Sequence, residues 1–359
     1  MQITARFARI CLSSGRHFTQ ARRLLTWLTF AAAVSLCPQL CLAQETIALV
    51  GSGSSVPAPL YSKWAEQYNK RSPKIQMRYL PLGTSESIKQ ISHGNGDFAA
   101  GEMPLTAKER SEGSLIELPA ILIAIVPIYN LPGTPGELRF SGALLADIFL
   151  GRVKTWNSPA IAKLNPHLSL PELPIKVIYR PAGKGSNYVF TDFLSKTSAQ
   201  FREEIGTTPS PKWPVGSPAE RSADMAEMVR SESGSIGYVE VQYAIKMNIP
   251  YGSVLNSAGH FVKASERTLT AACRAVEAPG WSKFSASLTN APGAESFPIT
   301  SFSWLYLRTA VPDSRRVPAL ADLLNWIFTG GQQIAVQEGY SELPPPLVAK
   351  VRAKIDSLK

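Results

Sequence analysis

Gly51-Ser52-Gly53-Ser54-Ser55-Val56-Pro57-Ala58-Pro59-Leu60-Tyr61-Ser62-Lys63-Trp64 is the stretch on which the fold turns. The run Thr46–Val50 before it reads as a strand. The glycines and serines then form a turn, and Leu60, Trp64 and Tyr68 recur at the spacing of one helix face. Serines ahead of a helix-opening proline are start signals for that helix. Strand, turn, helix is therefore the first unit. A second follows at once: Gln76–Leu80 as strand, Gly83-Thr84-Ser85 as turn, Glu86–His93 as helix. Phe98–Ala100 begins a third strand. Such alternation predicts an α/β architecture with a mainly parallel sheet.

Further along, Leu118–Ile128 is an apolar run of buried-strand type, too short to cross a membrane. It is expected to be a central strand leaving the first lobe. Lys176–Tyr179 and Ser235–Glu240 read as strands of a second lobe, the former feeding the turn Arg180–Ser186. Ile299–Leu307 is a strand returning the chain to the first lobe. Helices over Ala319–Phe328, Gly331–Gln337 and Pro344–Leu358 close the protein. The 28 prolines are scattered through loops and do not gather into a linker. That pattern suits lobes joined by crossing strands.

The first 43 residues stand apart. They hold five arginines (Arg6, Arg9, Arg16, Arg22, Arg23) and no acid. The apolar run Leu24–Val34 comes next, and Cys41-Leu42-Ala43 places small residues before Gln44. This is the layout of a secretory signal peptide cleaved after Ala43. Pro38 and Gln39 break the run before it reaches the roughly 20 apolar residues of a span. Cys37 and Cys41 each follow a leucine, a poor context for lipid attachment. Arg22-Arg23 leaves the choice of export route open. Without the leader, 32 of the 37 basic residues remain against 27 acids, so the net charge falls from +10 to about +5. No Lys/Arg block is interleaved with aromatics, and no nucleic-acid partner is expected. Of four cysteines only Cys273 lies beyond the leader. An exported chain with one cysteine has no internal disulfide, and Cys273 is read as a small buried hydrophobe.

Enzyme signatures fail one by one. His93, His167 and His260 make no pair at i, i+4 and join no cysteine cluster, so no zinc-type site and no cofactor are expected. Gly83-Thr84-Ser85-Glu86-Ser87 approaches a nucleophile elbow but ends in serine. The Gly51 turn approaches a dinucleotide loop but ends in Val56. Gly183-Lys184-Gly185-Ser186 resembles the tail of a nucleotide loop that lacks its first glycine, because Ile178 holds that place. What recurs is a turn of glycine with Ser, Thr or Asn that opens a helix: at Gly53-Ser54-Ser55, at Gly83-Thr84-Ser85, and at Gly183-Lys184-Gly185-Ser186-Asn187. Helix N-termini offer unpaired N–H groups and a positive dipole end, and hydroxyls add donors. Arg180 lies three residues before the third turn and can grip an oxyanion with two parallel bonds. Each turn alone is equally an ordinary helix cap; together with Arg180 they describe an anion cradle.

With these segments in order, the chain resembles the periplasmic phosphate-binding proteins of Pst-type ABC transporters over nearly its whole length beyond the leader. The resemblance is carried by Gly51–Trp64, Gly83–Ile91, Asp97–Glu102, Asp147–Asn157 with Ile161–Pro166, Arg180–Leu194, Gly234–Glu240 and Phe297–Thr300. It implies a two-lobed α/β binding protein of the type II-like kind, with mixed or parallel sheets flanked by helices and a ligand cleft between lobes. Lobe one would be 44–127 plus 301–359, and lobe two 128–300. It implies a monomer outside the cytoplasmic membrane, with no catalytic activity of its own. Inorganic phosphate or a related oxyanion would be its ligand, and the permease and ATPase complex of a transporter its partner. Carried over position by position, the phosphate ligands are Ser55, Val56, Thr84, Glu102, Arg180, Lys184, Gly185 and Ser186.

Four positions depart from the family pattern. Val56 stands where a phenylalanine is usual, Glu102 replaces an aspartate, Lys184 a small hydroxyl residue, and Ala182 an aspartate that pairs with the arginine. The loop Ser217–Ala223 is altered too. The last two replacements add two positive charges to the turn, so Lys184 is expected to meet Glu102 across the closed cleft. The same departures leave a different oxyanion or a phosphate ester as an alternative ligand. A surface or secreted protein that kept the fold without transport is a further alternative.

Overall fold

The computed structural model describes residues 46–134, 136–276, 284–309 and 313–357. The expected leader Met1–Ala43, with its expected cleavage site, lies outside them. Eight strands form one sheet in the order β2 (Ile75–Leu80), β1 (Ile47–Gly53), β3 (Phe98–Gly101), β11 (Thr300–Arg308), β4 (Leu115–Tyr129), β8 (Ser235–Glu240), β6 (Lys176–Tyr179), β7 (Ser217–Pro218). Three short strands, β5 (Arg139–Phe140), β9 (Ser253–Leu255) and β10 (Phe261–Val262), form a second sheet. The opening units are strand–turn–helix as expected: β1 leads into the helix Ala58–Arg71, and β2 into the helix Thr84–Ser92. Leu60, Trp64 and Tyr68 are the buried face of the first helix.

The sheet is more mixed than the alternation implies. Parallel pairing holds for β1 with β2 and β3, and for β6 with β7 and β8. Between these blocks β4 and β11 run antiparallel to their neighbours. The central strand is longer than the expected Leu118–Ile128 and is buried almost throughout. Its first part, Leu115–Ala124, pairs with β11; its second, Ile125–Tyr129, pairs with β8. One strand thus serves both blocks.

Pro119 shapes the middle of β4. Proline has no N–H to donate, so a strand takes it where no ladder bond is asked of that N–H, commonly beside an irregularity. The ladder slips here: Ser303 faces Ile121, whereas Trp304 faces Pro119. Ala120 is the extra residue, and its carbonyl accepts from Gln332 Nε2 at 2.9 Å. The bulge lets the chain pair on both sides of a proline.

Register then fixes the site. Gly101, at the end of β3, lies opposite Trp304 and hence near Pro119, while Glu240, at the end of β8, lies opposite Ile125. β3 and β8 run in opposite senses along β4. Their carboxyl ends, with those of β1 and β6, therefore converge on the middle of that strand. Ligand crevices of α/β sheets form outside the carboxyl ends of strands. Cys273 is fully buried, as expected, on the helix Glu266–Ala275. Among the described residues, no helix is long and apolar enough to cross a membrane.

Candidate anion site

Where the strand ends converge there is a cavity of about 140 Å³, lined by Ser54, Ser55, Pro81, Leu82, Gly83, Thr84, Arg180, Lys184, Glu220 and Arg221. Four of the eight expected ligand residues, Ser55, Thr84, Arg180 and Lys184, are in its wall. Gly185, Ser186, Glu102 and Val56 are not among the lining residues.

Arg180 follows β6 and is only 2% exposed. Its guanidinium donates to Ser222 Oγ at 2.9 Å, Ser55 Oγ at 3.1 Å and the Glu220 carbonyl at 2.9 Å. Its Nε is buried with no partner. The backbone under it is clamped. Arg180 N donates to the Tyr238 hydroxyl, and Asn187 Nδ2 donates to the carbonyls of Arg180, Pro181 and Pro209. Tyr238 in turn donates to Asn187 Oδ1 and stacks on Phe190, with ring centroids 4.2 Å apart.

The next helix, Gly185–Thr197, opens at this turn. Gly183 takes φ +82°, a conformation that side chains disfavour, and its carbonyl accepts from Ser85 N at 3.2 Å. That bond ties the third turn to the second. Ser186 Oγ is buried without a partner. Gly185 is required by proximity: a Cβ there would lie 2.2 Å from Glu102 Oε2 and 2.7 Å from Thr84 Oγ1. Backbone from one side of the cleft is pressed directly on a carboxylate from the other.

Glu102 follows β3 and is fully buried. Ser303 Oγ donates to its Oε1 at 3.3 Å and Thr84 Oγ1 to its Oε2 at 3.5 Å. Burial pushes its pKa up to about 8; bonds from Ser54 and Ser303 and the charge of Arg180 hold the rise back, and Glu240 adds to it. Glu240 is fully buried as well. Burial raises its pKa, and Arg180 opposes the rise.

Two expectations need correcting. Lys184 does not meet Glu102. Its ammonium pairs with Glu220, a residue whose side chain is 68% exposed, and hangs beside Gly83 at the rim. Physically this is the cheaper arrangement: Glu102 is sealed behind Thr84 and Gly185, where an ammonium would lose its water. Val56 does not offer its N–H to the cavity, because that group donates to Ser54 Oγ at 3.1 Å, and its side chain is buried in the core. Ser54 belongs to the first of the three expected turns, whereas Glu220, Arg221, Ser222, Glu240 and Ser303 were not expected at the site. The altered loop Ser217–Ala223 was the signal for three of them.

Strands from two blocks meeting over a small cavity with a buried arginine define a ligand-capturing α/β protein. Comparison makes that specific. Residues 42–330 match the family described as the PBP superfamily domain. The phosphate-binding protein PstS of Pasteurella multocida is 35% identical over 314 residues, covering 87% of this chain and 91% of that one. Its counterpart in Xylella fastidiosa is 34% identical over 310 residues, 86% and 85% of the two chains. The crystal structure of a putative phosphate ABC transporter substrate-binding protein with bound phosphate, from Clostridium perfringens, superposes with a TM-score of 0.61 at 18% identity, over 83% of this chain and all of that one. The chain belongs to the PBP superfamily and, within it, to the family of the PstS phosphate-binding proteins.

Proposed function

We propose that this protein captures inorganic phosphate outside the cytoplasmic membrane and delivers it to the permease and ATPase of an ABC transporter. The observation that carries the reading is Arg180: a buried guanidinium in the wall of a small cavity, flanked by hydroxyls and by helix openings at Thr84 and Gly185. In such a place an oxyanion finds charge-assisted bonds and little competing water. Ser55, Thr84, Arg180, Lys184, Gly185 and Ser186 are the proposed ligands, with Glu102 as the group that senses the proton carried by phosphate.

The lobes are 44–127 plus 301–359 and 128–300, supported by the way β4 and β11 carry the chain between the two strand blocks. On this reading the leader is cleaved after Ala43, the mature chain is a periplasmic monomer, and it binds without catalysing. A phosphate ester is the second reading, favoured by the exposed Leu82 on the cavity wall and by Lys184 at its rim. Titration calorimetry of the chain from Gln44 onward against phosphate, arsenate, sulfate and simple phosphate esters tests both. Tight binding of phosphate with weak binding of sulfate is expected. Binding of esters in preference to phosphate would replace the first reading with the second.

A further inference from the structure

Arg180 is a buried cation whose immediate partners are all neutral: two serine hydroxyls and a backbone carbonyl. A charge taken out of water at that cost needs a counter-charge close by. Among the described residues, Arg180 makes no direct ion pair. A second buried charge lies one hydroxyl away. Ser222 Oγ accepts from Arg180 Nη1 at 2.9 Å and donates to Glu240 Oε1 at 3.3 Å. Arg180 Nε and Glu240 Oε2 are both buried and without partners. We propose that Glu240 is the counter-charge of Arg180, held to it through the Ser222 hydroxyl, and that it positions the arginine while moderating its grip on an anion.

The chain of bonds has a direction. A serine hydroxyl has one proton to give and two lone pairs to receive with. Ser222 spends its proton on Glu240. In its 3.2 Å contact with Ser55 Oγ it must therefore be the acceptor, and Ser55 the donor. Ser55 also accepts from Arg180 Nη2. An arriving anion competes on two counts: it draws the Ser55 proton away from Ser222, and it shares Arg180 with Glu240. Glu240 thus weakens binding and keeps the empty site stable. Its position suits the task, since it ends β8 beside the middle of β4 and is fixed by the sheet.

Glu240→Gln keeps the shape and removes the charge. The variant should bind phosphate about tenfold more tightly, or about 1.4 kcal/mol, just under what close charge pairs give because a hydroxyl stands between the two groups, while its ligand-free form unfolds at a lower temperature. A residue that only supports the fold would lose stability and affinity together. Ser222→Ala cuts the bridge with no change of charge, and gives the same pair of signs at smaller size if Glu240→Gln folds poorly. A double-mutant cycle with Arg180→Met reads the pair without any ligand. Glu240→Gln should cost stability in the wild-type background and cost none beside Arg180→Met. Equal cost in both backgrounds, or unchanged or weaker phosphate binding by Glu240→Gln, overturns the proposal. The effect on affinity rests on the phosphate reading above, whereas the pairing does not. A wild-type protein that ignores phosphate while the cycle still shows coupling would sink the function and leave the pair standing.

Discussion

The two sides of the cavity are built on opposite principles. The side formed by Ser54, Ser55, Gly83 and Thr84 presents short neutral groups at the starts of helices, backed by the buried carboxyl of Glu102. The side formed by Arg180, Lys184, Glu220 and Arg221 presents charge, and nearly every charge there is already engaged. Lys184 holds Glu220, Arg221 holds Asp224, and Arg180 leans through Ser222 on Glu240. One side can adjust hydrogen bonds; the other sets the electrostatic sign. Depth then separates the cations. Arg180 is enclosed by protein, whereas Lys184 and Arg221 pair with carboxylates that water reaches.

The strongest way to break this contrast is to remove the enclosed cation. Arg180→Ala should lose about 2–5 kcal/mol of phosphate affinity, the usual cost of stripping one partner from a desolvated charged contact. Arg180→Lys should fall between, because an ammonium cannot make the fork. Calorimetry reads both; wild-type affinity in Arg180→Ala would move the site elsewhere. Next comes Gly185→Ala, which forces a methyl against Glu102 and Thr84 where the two sides touch. An overpacking cost of about 1–3 kcal/mol should appear as weaker phosphate binding by a chain whose circular dichroism is unchanged.

Glu102 sharpens the comparison through pH. Its pKa is near 4.5 in an unfolded chain and about 8 in the fold. Between those values the folded state keeps a proton that the unfolded state releases. Its contribution to stability is therefore full below about pH 4.5 and falls as pH rises toward 8, by up to about 1.4 kcal/mol per unit. Denaturant melts of the ligand-free protein across that window should slope downward, and Glu102→Gln should flatten the slope. The same variant should leave the gap between phosphate and sulfate affinity nearly unchanged at neutral pH, where the carboxyl keeps its proton and donates as an amide does, and narrow it above about pH 8, where the ionised carboxylate only accepts. Smallest of all is Lys184→Ser. An ion pair with one exposed partner contributes less than about 1 kcal/mol, and phosphate affinity should change by only a few-fold, less still in high salt. A hundredfold loss would show that Lys184 leaves Glu220 and carries as much of the binding as Arg180.

Much of this was legible in the sequence because it is local. Thr46–Trp64 and Gln76–Ile91 spell strand, turn and helix in contiguous residues, and the structure follows them. Arg180 stood out because an arginine just before a glycine-rich helix start has few ordinary uses. What sequence did not disclose depends on register. Glu240 was visible as a residue of the Gly234–Glu240 segment, yet its task emerges only when β8 sets it beside Ser222 and Arg180. Lys184 was assigned to Glu102 by charge alone. Its real partner, Glu220, comes from the Ser217–Ala223 loop, whose path is set by pairing of β7 with β6. The slip at Ala120 likewise required seeing Pro119 opposite Trp304.

That proline has a bearing on how the chain is made. Between Pro119 and Pro127 runs Ala120-Ile121-Leu122-Ile123-Ala124-Ile125-Val126, seven apolar residues with no charge. A segment of this composition readily stacks on copies of itself while it is uncovered. Its main cover, β11, is synthesised only after the whole 130–299 stretch, so the nascent strand waits a long time for its partner. The two flanking prolines, each lacking an N–H, cap the row of donors that a growing aggregate would extend. The residue that obliges the sheet to bulge in the finished protein thus also guards the unfinished one.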